Sequence, residues 1–131
     1  APCSKSSNDC CAFRRASSAA GKEQYLVPYF ISAHPGASLE DAAELAVFLK
    51  KHGYRPLQIN DFLPAPMDIA SSMYYAGLDP ATLEPVRSEK KESARRMHRA
   101  LLQYFKPENR PLVIKALRMI GRADLIRKII G

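Results

Sequence analysis

A chain of 131 residues, 47% hydrophobic and 25% charged, has room for one domain with a modest core. No apolar run approaches the roughly 20 residues that a membrane-spanning helix needs, which excludes a helical span as the organising element. The 20 Lys and Arg against 13 Asp and Glu, a formal net charge of +7, keep phosphate-bearing partners among the classes to consider.

The first residue is Ala1 rather than Met, so a processed or partial product is expected. Residues 1–20 are small, polar and serine-rich, without the apolar core of a signal peptide. They are expected to be disordered or loosely attached. With no signal-like or spanning segment, the expected location is cytoplasmic. All three cysteines fall here, Cys3, Cys10 and Cys11, in the spacing C-x6-C-C. An odd count argues against a complete disulfide framework. The three are read as incidental thiols, and no metal ligands are assigned.

From Gln24 to Pro66 the order is apolar run, His-Pro-Gly turn, capped helix, glycine stop and second apolar run. That is the order of a βαβ unit. The first strand is expected over Tyr25–Ser32, with Tyr25, Val27, Tyr29 and Ile31 on one face and Leu26, Phe30 and Ser32 on the other. Two largely apolar faces suit a parallel strand covered on both sides. Pro28 has no amide hydrogen for a ladder, so the strand begins there or lies at an edge. The helix is expected over Leu39–His52, with Ser38 and Asp41 placed as a capping box and Ala42, Leu45, Ala46 and Leu49 as its apolar stripe. Gly53 stops it. The second strand is expected over Leu57–Phe62, ended by Leu63-Pro64-Ala65-Pro66. Such a crossover is nearly always right-handed. Ligands of parallel sheets sit beyond the carboxyl ends of the strands, here Ser32–Gly36 and Asp61–Pro66. His34 is either a ligand contact or a residue of a rigid turn set by Pro35 and Gly36.

A short helical piece follows over Met67–Tyr75, ended by Gly77 and Asp79-Pro80. Its Met73, Tyr74 and Tyr75 suit either a face packed on the sheet or a stacking platform. Residues 80–87 read as loop. Ser88 is placed to cap a helix over 88–105 with the stripe Ala94, Met97, Leu101, Tyr104 and Phe105. Pro107 opens a helix over 107–120 through Leu112, Val113, Ala116, Leu117 and Ile120, and a last short helix covers 122–130. Residues 87–131 carry 13 Lys and Arg against 4 Asp and Glu, whereas residues 25–86 carry 3 against 7. Arg95, Arg96, Arg99, Lys115 and Arg118 are candidate phosphate contacts, or else a solvated face or a cover for an acidic neighbour.

The segment Phe30-Ile31-Ser32-Ala33-His34-Pro35-Gly36 with Glu40-Asp41 resembles the fifth-strand segment of radical SAM enzymes. The longer text, YFISAHPG through DFLPAPMDIASSMYYAGLDP, is similar to one subgroup, the YgiQ-type uncharacterised radical SAM proteins with a helical C-terminal extension. The resemblance runs from about Gly21 to the C-terminus. It implies an α/β fold: a βαβ fragment of a radical SAM partial TIM-like barrel followed by a helical extension. The chain then divides into a leader at 1–20, barrel at 21–80 and basic extension at 81–131. It implies that Ile31, Ser32, Ala33 and His34, with Phe62, Leu63 and Pro64, line a pocket for S-adenosylmethionine. Alanine stands at positions 33 and 37, where the family sometimes has glycine and glutamate.

The family also implies a [4Fe–4S] cluster on the spacing C-x3-C-x2-C, which this chain lacks. The resemblance therefore implies a C-terminal fragment that holds neither cofactor alone and whose partner is the missing N-terminal part of the domain. The substrate is not readable. The alternative is a basic helical nucleic-acid-binding module, although no compact nucleic-acid motif accompanies the charge. A small cysteine-based metal protein is disfavoured by the spacing. His34, His52 and His98 are dispersed among unrelated motifs, and neither a Walker loop nor G-x-G-x-x-G is present.

Overall fold

The protein's computed structural model describes residues 8–25 and 27–131. Cys3 and Leu26, both considered above, lie outside the described residues. The first element is a helix, α1 (Asn8–Ala19), in a stretch expected to lack regular structure. Ala12, Ala16 and Ala19 are strong helix formers. Gly21, at φ 62, ends the helix in the left-handed conformation that glycine tolerates best. Its N–H reaches Ser18 O at 3.1 Å and the next N–H reaches Ser17 O at 3.0 Å, the paired bonds of a Schellman stop.

The βαβ order is present. Strand β1 (Phe30–Ser32) and strand β2 (Ile59–Asp61) flank helix α2 (Leu39–Lys51). The strands are parallel neighbours, with Phe30 opposite Ile59, Ile31 opposite Asn60 and Ser32 opposite Asp61. Phe62 N–H extends the ladder to Ser32 O at 2.9 Å. Both strands are shorter than the sequence suggests, because each pairs on one edge only and Pro28 gives the earlier residues no amide to donate. Helix α2 carries the expected capping box: Asp41 N–H donates to Ser38 Oγ at 3.1 Å and Ser38 N–H donates to the Asp41 carboxylate at 2.8 Å. These bonds hold the Asp41 carboxyl below the usual carboxylate range.

Helix α3 (Ile69–Ala76) leads to a loop closed by an antiparallel bridge between Leu78 and Pro85. Helix α4 (Glu92–Leu102) starts later than expected. Ser88 does not cap it; its Oγ is buried without a partner, and Lys91 stands at the N-cap. Pro107–Asn109 form a 3-10 turn that runs into α5 (Arg110–Met119), and α6 (Asp124–Ile130) completes the chain.

The core lies between α2, α4, α5 and α6. Ala42, Ala43 and Ala46 make one side of α2 small, which lets α4 approach closely. Met97 and Leu101 of α4, Val113 and Leu117 of α5, and Leu125 and Ile129 of α6 fill the space. Each such large side chain contributes about 1.5–3 kcal/mol by leaving water. Lys50 at the end of α2 donates to Ile129 O at 3.0 Å and Gly131 O at 2.6 Å, tying α6 to α2 through its last carbonyls.

The sheet is covered on one face. Phe30 and Ile59 pack against the helical core, and Ser32 and Asp61 share their side. On the other face Ile31 is 45% exposed and Tyr29, just before the strand, is 69% exposed. The two-sided burial expected for β1 is thus not met within this chain.

Candidate functional site

The parallel register brings the carboxyl ends of β1 and β2 side by side, with Ser32 and Asp61 opposite each other. Ser32 is buried, and its Oγ donates to the Asp61 carboxylate. Arg99 of α4 completes a fork on that carboxylate: its Nε donates to Oδ1 at 3.0 Å and a terminal nitrogen donates to Oδ2. One turn earlier, Arg95 donates to Phe62 O at 2.7 Å. A guanidinium fits such a two-point bond because its donors are planar and fixed.

After β1 the chain turns sharply. Ala33 is buried with φ 54, a left-handed conformation that costs an alanine about 1 kcal/mol. The strain turns His34 out of the strand. His34 Nδ1 lies 2.9 Å from Pro35 O, and its ring meets the Phe62 ring edge-on at 5.2 Å. Phe62 in turn lies 5.8 Å from the Tyr74 ring, over which the Lys90 ammonium sits at 5.3 Å. Tyr74 of α3 is therefore part of an aromatic row that supports the strand end.

A cavity of about 820 Å³ opens at these ends, lined among others by Tyr29, His34, Asn60, Phe62, Glu92 and Arg95. Its size is within the range of small-molecule sites. Of the residues singled out from sequence, Ile31, His34, Phe62 and Leu63 line this cavity. Ser32 and Ala33 lie buried behind it, and Pro64 lines a separate hollow with Ser71 and Tyr75. The basic candidates divide. Arg95 and Arg99 turn to the strand end, whereas Arg96, Lys115 and Arg118 are exposed. Asn60 and Glu92 were missed. Glu92, Arg95 and Arg99 share one helix face, which is visible in their spacing, but the sheet opposite them is not.

The cysteine spacing, C-x6-C-C, differs from C-x3-C-x2-C, and no group of three His, Cys, Asp or Glu among the described residues is placed to hold a metal ion. Among the same residues no helix is long and apolar enough to cross a membrane.

Fold and site together define an α/β unit with a one-sided parallel strand pair, a cavity of mixed polar and apolar lining at the strand ends and a helical extension that reaches back to them. Residues 57–128 match the family model described as a domain of unknown function, DUF3362, and the chain belongs to that family. It is 49% identical over 114 residues to a UPF0313 protein of Methanocella arvoryzae, covering 87% of this chain and 19% of that protein. It is 46% identical over 120 residues to a UPF0313 protein of Rhodopseudomonas palustris, covering 87% and 18%. A UPF0313 protein of Geobacter sulfurreducens is 43% identical over 119 residues, covering 91% and 20%. The chain thus spans about one-fifth of the length of these relatives. No solved structure matches it.

Proposed function

We propose that this chain is the C-terminal portion of a radical SAM enzyme of the YgiQ type, forming one wall of the S-adenosylmethionine pocket and part of its helical cover, and inactive alone. The observation that carries this reading is the bare sheet face. Parallel sheets are normally covered on both sides, and a two-stranded parallel pair of three residues each is not a self-sufficient sheet. The exposed Tyr29 and Ile31, with the free edge of each strand, suit the remaining strands and lumen of a barrel. The share of each relative that the chain covers is consistent with this.

S-adenosylmethionine fits the cavity in size. Backbone at Ile31–Ala33 and Phe62–Pro64 would border its adenine, and His34 and Phe62 would supply flat apolar contact. A [4Fe–4S] cluster held upstream would supply, with bound S-adenosylmethionine, the electron for reductive carbon–sulfur cleavage. The residues of this chain bind and orient the nucleoside end and help exclude water. A cytoplasmic location accords with such oxygen-sensitive chemistry and is part of the proposal.

The basic extension, with Arg96, Lys115 and Arg118 exposed, supports a second reading as a nucleic-acid surface. We favour a cover over the upstream polypeptide, because two of the five candidate arginines and lysines are directed to the strand end. The test is anaerobic reconstitution of the full-length polypeptide. The expected result is cluster absorption with S-adenosylmethionine cleavage, both lost when the upstream cysteine motif is replaced. A full-length polypeptide with no C-x3-C-x2-C motif and no cleavage would overturn the reading.

A further inference from the structure

Four polar side chains of one helix and its end reach the same strand and the segment leading into it. Arg95 donates to Phe62 O at 2.7 Å, and Arg99 forks onto Asp61. Gln103 donates to Leu57 O at 2.8 Å, and Tyr104 O–H donates to Tyr54 O at 3.1 Å. Arg95, Arg99 and Gln103 are spaced by four, so they lie on one face, each a turn beyond the last. Their partners run from position 62 back to position 57, so the helix lies against the strand in the opposite sense. The apolar face of α4 meets α2 and α5, while this polar row serves the 54–62 segment.

The ties fall where a sheet edge would otherwise be least constrained. Strand β2 has three ladder residues and one paired edge. Phe62 illustrates the result: its N–H goes to Ser32 O and its carbonyl to Arg95. Asp61 is held by Ser32 from one strand and by Arg99 from the helix. We infer that Arg95 and Arg99 are positioning residues: the first helix of the extension sets where the carboxyl end of β2, and with it the Phe62–Pro64 wall of the cavity, stands. The inference about position rests on these contacts; its effect on ligand binding rests on the reading proposed above.

Two measurements separate these layers. Amide hydrogen exchange of the 131-residue chain reports the strand directly. Arg95→Ala removes a bond without leaving a buried charge, and Arg99→Lys keeps the charge but cannot form the fork. Each is expected to speed exchange of the ladder-bonded amides within 59–62, Phe62 among them, on the order of tenfold, the effect of losing one charge-assisted bond, while α5 and α6 keep their protection. A general loss of protection in Arg95→Ala leaves the decision to Arg99→Lys. Unchanged exchange at 59–62 in Arg99→Lys, or equal loss at all elements in both variants, overturns the inference. S-adenosylmethionine titration of the reconstituted full-length polypeptide is the second measurement. Wild type that binds, with Arg95→Ala weaker by about tenfold at an unchanged melting temperature, supports the positioning role. Wild type that fails to bind overturns the ligand reading and leaves the exchange result standing.

Discussion

Replacing Met97 tests the central packing of the helices. Met97 is 5% exposed, in the cluster shared by α2, α4 and α5. Met97→Ala removes most of that side chain and is expected to cost about 2–5 kcal/mol, the transfer term plus the cavity left behind. Met97→Asp adds a carboxylate to the same space. The side chains of that cluster are apolar, so the group must stay charged in a poorly solvating site, take up a proton or force the helices apart. Any of these adds several kcal/mol. The total approaches the whole stability of a small domain, about 5–15 kcal/mol. The 131-residue chain is followed by circular dichroism during urea and thermal unfolding at neutral pH. Met97→Ala should melt about 6–20 °C lower, at a few degrees per kcal/mol, and Met97→Asp should show no cooperative transition. Arg96→Ala, on the exposed side of the same helix, should stay within about 0.5 kcal/mol of wild type. If Met97→Asp melts with wild type, or no lower than Met97→Ala, the site is not dry and the helices do not pack as described.

Three further outcomes follow from particular groups. His98 is buried with Nε2 unpartnered, and burial pushes its imidazole below the usual value despite Glu89, Asp41 and Glu40 nearby, with Arg87 acting in the same direction as burial. The unfolded chain therefore binds the proton first: stability should be level above about pH 6.5 and fall as pH drops below it. His98→Gln should flatten that slope between pH 7.5 and 5.5, and an identical slope would refute the assignment. Ser38→Ala removes the capping-box hydroxyl and should cost about 1 kcal/mol in urea unfolding, with a cost near zero counting against the cap. Iron and sulfide reconstitution of this chain alone should give neither a stoichiometric cluster nor S-adenosylmethionine cleavage; a stable cluster lost on replacing Cys10 and Cys11 would show those thiols to be ligands.

Local signals carried the sequence reading where the structure is local. The Ser38–Asp41 box, the small stripe of α2 and the glycine stop predicted that helix to within a residue, because each acts within one or two turns. The parallel order followed from connection length, since a helix between two short apolar runs leaves no room for a hairpin. The strands are shorter than the apolar runs, because a ladder extends only as far as a neighbouring backbone can pair with it and sequence shows only apolar residues. Ser88 mimicked a cap while its hydroxyl is in fact buried. Helical spacing puts Arg99 on the polar face, opposite Leu101 and Met97, and leaves open whether it meets phosphate, solvent or an acidic neighbour. Its partner Asp61 is 38 positions earlier in the chain, and no periodicity reports such a pairing. The same limit hid Gln103 and Tyr104 as partners of backbone carbonyls.

The match to the DUF3362 family begins at residue 57, inside the βαβ unit, after α2 and just before β2. The domain model thus starts part-way through a folding unit, although the relatives match this chain over 114 residues or more. A gene fragment cut at that point would encode a strand without its neighbour and a helix, α4, without the small face it packs on. Met97, Leu101 and His98 would be laid open, and Asp61 would lose its serine. Such a product should aggregate when expressed, and biochemical work on this family is better served by cutting upstream of Phe30, so that β1, α2 and its cap are all retained.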